Sequence, residues 1–289
     1  MRVSRLGTGG KWLVIWLLGA AYAFPLYWVV TMSFKPGPEW NPSGRVIWFP
    51  ENPTLDNYTG ILGLRVPASS EFLTQPTRSA IEPIKHSLIA AGGGTVLALA
   101  VGILAAFGIA RYRSGGRRLP FQILQLRMIP PIVLLIPIFF MFVYLHLWDT
   151  LWGLILIYGA LTFPFVVWLM RSFFQEVPRE LSEAAIVDGC THWGAFFKVV
   201  LPQVKGGLAA TALFVFILNW SDLLIASVLT GEQAQTAPVF LSRLQADEFE
   251  RQFGPQAALA IVLILPPAIL GLAIQKHLVR GLTFGAIRK

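Results

Sequence analysis

The chain has 289 residues, 55% of them hydrophobic and only 13% charged, and its mean hydropathy of +0.63 excludes an ordinary soluble domain. A formal charge of +8 would suit a nucleic-acid binder, but the basic residues flank apolar runs, which is a signal of membrane topology. The single cysteine, Cys190, excludes an internal disulfide, and no redox role is expected of it.

About 20 apolar residues cross roughly 30 Å of hydrocarbon. Six stretches reach that length: about 12–34, 88–110, 119–145, 151–170, 208–230 and 257–278. The predicted class is therefore an all-α integral membrane protein with six transmembrane helices, because a helix satisfies its own backbone in lipid. A tail, 1–11, carries Arg2, Arg5 and Lys11. The first stretch contains Ala21-Tyr22-Ala23, as a cleavable signal would, but runs on through Phe34 and is read as an uncleaved anchor.

An outer loop, 35–87, follows, with Trp40, Trp48, Phe49 and Tyr58. It is either an ordered cap, an interfacial segment with aromatics at headgroup level, or a docking surface for an outside partner. His86 falls near the outer end of the second span and is expected to be interfacial. The next loop holds Arg111, Arg113, Arg117 and Arg118, whereas 146–150 holds no Lys or Arg. Lys198, Lys205, Arg171 and Arg179 mark loop 171–206; Lys276, Arg280, Arg288 and Lys289 mark the end, against Arg243 and Arg251 in 231–256. This bias places both termini and loop 171–206 in the cytoplasm. Pro25, Pro130-Pro131, Pro137, Pro164 and Pro266-Pro267 interrupt the spans and predict kinks. Arg127, near the cytoplasmic third of the third span, is expected to snorkel.

Loop 171–206 carries helix punctuation. Pro178 suits a first helical position, and Glu180 and Glu183 fall in the first turns, where the helix dipole favours them. Ala184 and Ala185 favour helix. Gly189 suits a left-handed stop, and Thr191 can cap a second helix bearing Trp193, Phe196, Phe197 and Val200 before Pro202. By composition this is an amphipathic elbow that rests on its own bundle or is gripped by a partner.

In the fifth span, Asn219, Trp220, Ser221 and Asp222 stand together. A carboxylate at mid-membrane costs about 2.5–3.5 kcal/mol, so Asp222 should face protein or water. Two readings stand. Either these residues line a solute pathway, with Trp220 offering a ring face and Asn219 and Asp222 bonding hydroxyls, or they make a helix-to-helix polar contact or gate.

The order Glu183-Ala184-Ala185, Asp188-Gly189, Leu201-Pro202 resembles the coupling motif of permease subunits in ATP-binding-cassette importers. The resemblance extends over nearly the whole chain and is to the carbohydrate branch, through Ser33-Phe34-Lys35-Pro36, Thr54-Leu55-Asp56-Asn57-Tyr58, Ala105-Ala106-Phe107-Gly108-Ile109-Ala110-Arg111, Arg127-Met128-Ile129-Pro130-Pro131 and the tail 275–285. Within it the chain is similar to the smaller maltose-permease type. It departs at His86-Ser87, where Asn-Ser is usual, and at Trp220-Ser221-Asp222-Leu223, where Trp-Asn-Glu-Phe is usual.

The resemblance implies a type I importer transmembrane domain over 12–289 with a cytoplasmic coupling helix. Glu183 and Asp188 would contact an ATPase, Gly189 would permit the bend, and Leu201-Pro202 would set the exit angle. It implies a sibling permease, two ATP-binding-cassette ATPase subunits and an extracytoplasmic solute-binding protein as partners. Nucleic acid is not among them. The membrane would be the cytoplasmic (inner) membrane of a bacterium or archaeon.

No phosphate-binding loop is present: Gly7-Thr8-Gly9-Gly10-Lys11-Trp12 has the wrong glycine spacing. No cofactor or metal is expected in this chain, and ATP and magnesium would sit on the partner ATPases. The expected function is import of a carbohydrate or polyol. The alternatives are a non-sugar solute, such as a polyamine or phosphate ester, or a stand-alone secondary transporter or membrane enzyme.

Overall fold

The computed structural model describes residues 8–40, 45–64, 79–116, 118–244 and 253–285, with side chains within 10–275. Arg2, Arg5, Arg65, Arg78, Arg117, Arg251, Arg288 and Lys289 lie outside the described residues, as do the side chains of the 276–285 tail motif.

The described secondary structure is all helical. In chain order it runs α1 (Thr8–Ser33), α2 (Asp56–Ile61), α3 (Ile81–Tyr112), α4 (Leu119–Gln125), α5 (Pro131–Tyr144), α6 (Leu151–Glu176), α7 (Arg179–Val187), α8 (His192–Ala195), α9 (Leu201–Gln203), α10 (Lys205–Trp220), α11 (Leu224–Leu229), α12 (Ala237–Arg243) and α13 (Phe253–Gly285). Among the described residues, four helices, within α1, α3, α6 and α13, are long and apolar enough to span a membrane. Two bent pairs qualify together: Leu119–Met128 with Pro131–Tyr144, at 86°, and His192–Gln203 with Lys205–Trp220, at 78°.

The helices depart from the apolar stretches at their ends. α3 starts seven residues before 88, at Ile81, so the end of the expected outer loop is helix. α6 runs to Glu176 and takes the start of the elbow loop. A helix ends where its backbone loses a partner, not where its apolar run ends. Stretch 119–145 is two helices because Pro130 and Pro131 together lack the amides needed to continue the turn. Pro25, Pro137, Pro164, Pro266 and Pro267 lie inside continuous helices. Stretch 208–230 is divided at 221–223.

By contacts the chain forms two units. The first comprises 1–81 and 240–264. Here the described part of the outer loop is an ordered cap on the end of α1. Asn57 Nδ2 donates to Ser33 O (2.9 Å) and Lys35 O (2.8 Å), while Tyr58 Oη donates to Ser33 Oγ (2.8 Å). Lys35 is 1% exposed. Its Nζ donates to Ile47 O (2.5 Å) and lies 4.6 Å from the Trp28 ring centroid. Burial pushes the Lys35 ammonium below its ordinary range, and Glu39 pulls it back up. Glu39 in turn accepts from the amides of Glu51 and Asn52, both at 3.0 Å. Trp28, Trp48, Tyr27 and Phe49 close the cap with edge contacts.

The second unit comprises 82–239 and 265–289. α3 packs on α6 through glycines: a Cβ at Gly94 would stand 2.6 Å from Tyr158 Cβ, and one at Gly102 2.6 Å from Val166 Cγ1. Lipid offers no hydrophobic drive between helices, so close backbone approach and dispersion supply the association. One core cluster, around Leu154, Ile157, Tyr158, Ala226 and Leu229, includes Leu135 and Phe142 of α5. A second, around Ala98, Ala106, Val166, Met170, Phe174, Phe196 and Val215, ties the elbow to α3, α6 and α10.

Gly92 faces open space, with nothing within 4 Å of an added Cβ. Gly94→Ala should therefore destabilise the purified chain by about 1–3 kcal/mol, read as a lowered Tm in detergent, and Gly92→Ala should not. Equal Tm values for the two variants would contradict the close α3–α6 packing.

Candidate functional site

The elbow is built by local backbone chemistry. Pro178 (φ −55°, ψ 140°) stands just before α7, at the N-cap and not at the first helical position. α7 stops at Val187; Gly189 N donates to Ile186 O (3.0 Å) and Cys190 N to Ala185 O (2.9 Å). Gly189 has φ +91°, a left-handed conformation that L side chains rarely adopt. Thr191 then caps α8, its Oγ1 accepting from Gly194 N at 3.1 Å.

A π-helical turn, Phe196–Val200, joins α8 to α9, and Leu201 N donates five residues back to Phe196 O. Pro202 follows directly. It has no amide for Lys198 O, and its ring crowds that carbonyl, so the wider turn relieves the conflict. At Val204 the chain bends into α10.

The elbow has two faces. Ala185, Ala195, Phe196 and Val200 are buried, with the Phe196 ring 4.6 Å from Phe107 and 6.0 Å from Phe174. Leu201 is half-buried against the same cluster. Glu183, Ala184, Asp188, Gly189 and Pro202 are exposed. Val187 is 87%, Trp193 63% and Phe197 54% exposed, the two rings stacked at 6.1 Å. An apolar helix side that sequence alone leaves undivided is thus split, half onto the chain's own core and half outward.

The second polar group sits where α10 ends. Asn219 is buried and its Nδ2 donates to Thr95 Oγ1 of α3 (3.3 Å). Trp220 is buried, its ring stacked on Phe216 at 5.7 Å. Ser221 is exposed. Asp222 accepts from Tyr158 Oη (3.1 Å), Ala226 N (3.0 Å) and Ile225 N (3.5 Å). Arg127 is partly buried and lies over the Phe165 ring, 5.2 Å from its centroid, so an aromatic face of α6 receives its guanidinium. Asp222 makes the helix-to-helix contact that was one of its two readings.

Sequence reasoning missed Asp149. Its carboxylate accepts from the amides of Gly231 (2.7 Å), Ala234 (2.9 Å) and Gln233 (3.1 Å), pinning the turn after α11. An acidic residue before the N-cap Thr150 reads as the start of a helix, and nothing local announces amides 82 to 85 positions away. The turn is also held to α3: Ser87 Oγ accepts from Ala237 N (2.8 Å), and the His86 Nδ1–H donates to Gln235 O (3.1 Å). His86 is thus a partner of this turn and not merely interfacial. No group of three or more candidate metal ligands occurs among the described residues.

Residues 98–284 match the family described as "Binding-protein-dependent transport system inner membrane component". The chain is 37% identical over 281 residues to the trehalose transport system permease protein SugB of Mycobacterium tuberculosis, covering 96% of this chain and 97% of that protein. It is 30% identical over 274 residues to the trehalose/maltose transport system permease protein MalG of Thermococcus litoralis, covering 94% of each. A chain in the crystal structure of a bacterial ABC transporter involved in import of the acidic polysaccharide alginate superposes with TM-score 0.73. It shares 21% identity and covers 92% of this chain and 94% of that one, a likeness of fold.

Removing the Asp222 carboxylate leaves Tyr158 Oη and two amides unsatisfied. Asp222→Ala should cost about 1–3 kcal/mol and Tyr158→Phe about 1 kcal/mol. In thermal unfolding the double variant should be less destabilised than the sum. Strict additivity would show that the two groups do not interact.

Proposed function

The chain belongs to the binding-protein-dependent transport system inner membrane component family, and from that membership we propose that it is a permease subunit of an ATP-driven importer of a carbohydrate or polyol. The permeases for trehalose, maltose and related sugars among its relatives support the solute class. It contributes half of the translocation path beside a sibling permease. Two ATPase subunits supply the energy and hold the ATP and magnesium; a solute-binding protein on the far side delivers the solute.

The observation that carries this reading is the two-faced elbow. Its outer face presents Glu183, Asp188 and the stacked Trp193–Phe197 pair, a compact surface with apolar and acidic parts. Exposed apolar area rimmed by charge is what a protein partner buries. Its inner face is locked to α3 and α6 through Phe107, Phe174 and Phe196. An ATPase that grips the outer face therefore moves spanning helices through the inner one, and alternating access follows. On this reading the elbow and both termini are cytoplasmic, in agreement with the arginine bias.

Within 219–222, Ser221, the exposed member, is assigned to the wall of the solute path, and Asp222 holds the helices behind it through Tyr158, Ile225 and Ala226. Asn219 and Trp220 are buried behind Ser221.

Gly189→Leu forces a side chain into the left-handed region at about 1–2 kcal/mol, and Glu183→Ala removes an outward acid. Both should insert normally yet lower solute-stimulated ATPase activity of the assembled complex roughly tenfold. Normal stimulated activity in both would defeat the coupling assignment. A panel of solute-loaded binding proteins, each scored for stimulation, identifies the solute class.

A further inference from the structure

The second unit holds a basic cavity beside the elbow. It measures about 630 Å³ and lies where α3 and α6 both end, beside the entry to α7. Arg111, Arg113, Arg171 and Arg179 line it, with Phe174 and Val177 on the apolar wall. Arg111 donates to Pro178 O at 3.5 Å, a weak contact. Arg171 Nε is buried and has no hydrogen-bond partner among the described residues. None of the four guanidinium groups forms an ion pair among the described residues.

Part of this clustering is ordinary topology: basic residues collect where spans end. That accounts for exposed arginines, not for a cavity or for a buried guanidinium nitrogen left unpaired. A buried donor without a partner costs about 1–3 kcal/mol, and four cations around one space repel each other until an anion enters. Guanidinium forks match phosphate oxygens with paired hydrogen bonds.

We propose that this cavity binds the phosphate group of an anionic phospholipid. Three observations favour a lipid over a free phosphate or an acidic partner segment. The cavity sits at the ends of two helices long and apolar enough to span a membrane, and the ends of spans are where headgroups meet a protein. Its lining mixes apolar side chains, Ile109 of α3, Phe174 of α6 and Val177, with the arginines, as a headgroup and the start of an acyl chain require. Its volume exceeds that of a bare anion. The proposal rests on membrane insertion alone and is independent of the coupling assignment and the solute.

The test uses the assembled transporter in detergent, titrated with phosphatidylglycerol or phosphatidylcholine and read by native mass spectrometry. The wild-type complex should retain phosphatidylglycerol in preference to phosphatidylcholine, and the paired change Arg111→Gln with Arg171→Gln should weaken retention roughly tenfold or more. Arg113→Gln with Arg179→Gln alters exposed side chains only and keeps the test valid if the first pair misfolds; it should weaken retention too. A charge-matched control, Lys198→Gln with Lys205→Gln, should not. Equal retention in wild type and both arginine pairs overturns the proposal. So does displacement by equimolar inorganic phosphate, which marks a free anion as occupant. Loss of complex assembly by the arginine pairs without change in lipid retention also overturns it and assigns the cavity to a protein partner.

Discussion

A helix that breaks inside an apolar run leaves amides that water cannot reach, so the protein must answer them itself. In this chain the break at 221–223 is answered by one carboxylate. Asp222 accepts from Ile225 and Ala226 at the start of α11, and in the same position it accepts from Tyr158 on α6. An isolated carboxylate in hydrocarbon would be costly. Here it is the reason that the second half of the fifth apolar stretch can start afresh as a new helix. The same logic sets Asp149, whose three accepted amides order the turn after α11.

The elbow depends on packing instead of hydrogen bonding. Close-packed interiors move as units because side chains have no slack. Phe107, Phe174 and Phe196 bring α3, α6 and the elbow to ring-centroid distances of 4.6 to 6.0 Å. The elbow therefore cannot shift without carrying the ends of two long helices. Gly189 and Pro202 act on its two arms by different means, one by a positive φ and the other by a missing amide. Between them, the outward residues hold their direction with little help from contacts of their own.

How far the residues spoke for themselves differs by region. Six apolar stretches, the arginine bias and the Glu183–Pro202 order were legible because each is a local property of a few successive residues. Ser33-Phe34-Lys35-Pro36 and Thr54-Leu55-Asp56-Asn57-Tyr58 were legible only as a family likeness. Their physical reason is a cap in which Asn57 bridges the carbonyls of Ser33 and Lys35, across 22 to 24 positions. The order of that outer loop was open from composition, since aromatics suit a headgroup belt and a folded cap alike.

Sequence by itself determined the solvent, the class of fold and where along the chain the elbow falls, because hydropathy and turn chemistry are short-range properties. Only the tertiary structure decided which elbow residues face outward, which partner each buried charge has, and where the long apolar runs bend. Those outcomes depend on groups distant in the chain: Asp222 needs Tyr158, Asn219 needs Thr95 and Asp149 needs Gly231. No window along the sequence contains both members of such a pair, so folding alone makes their energy count.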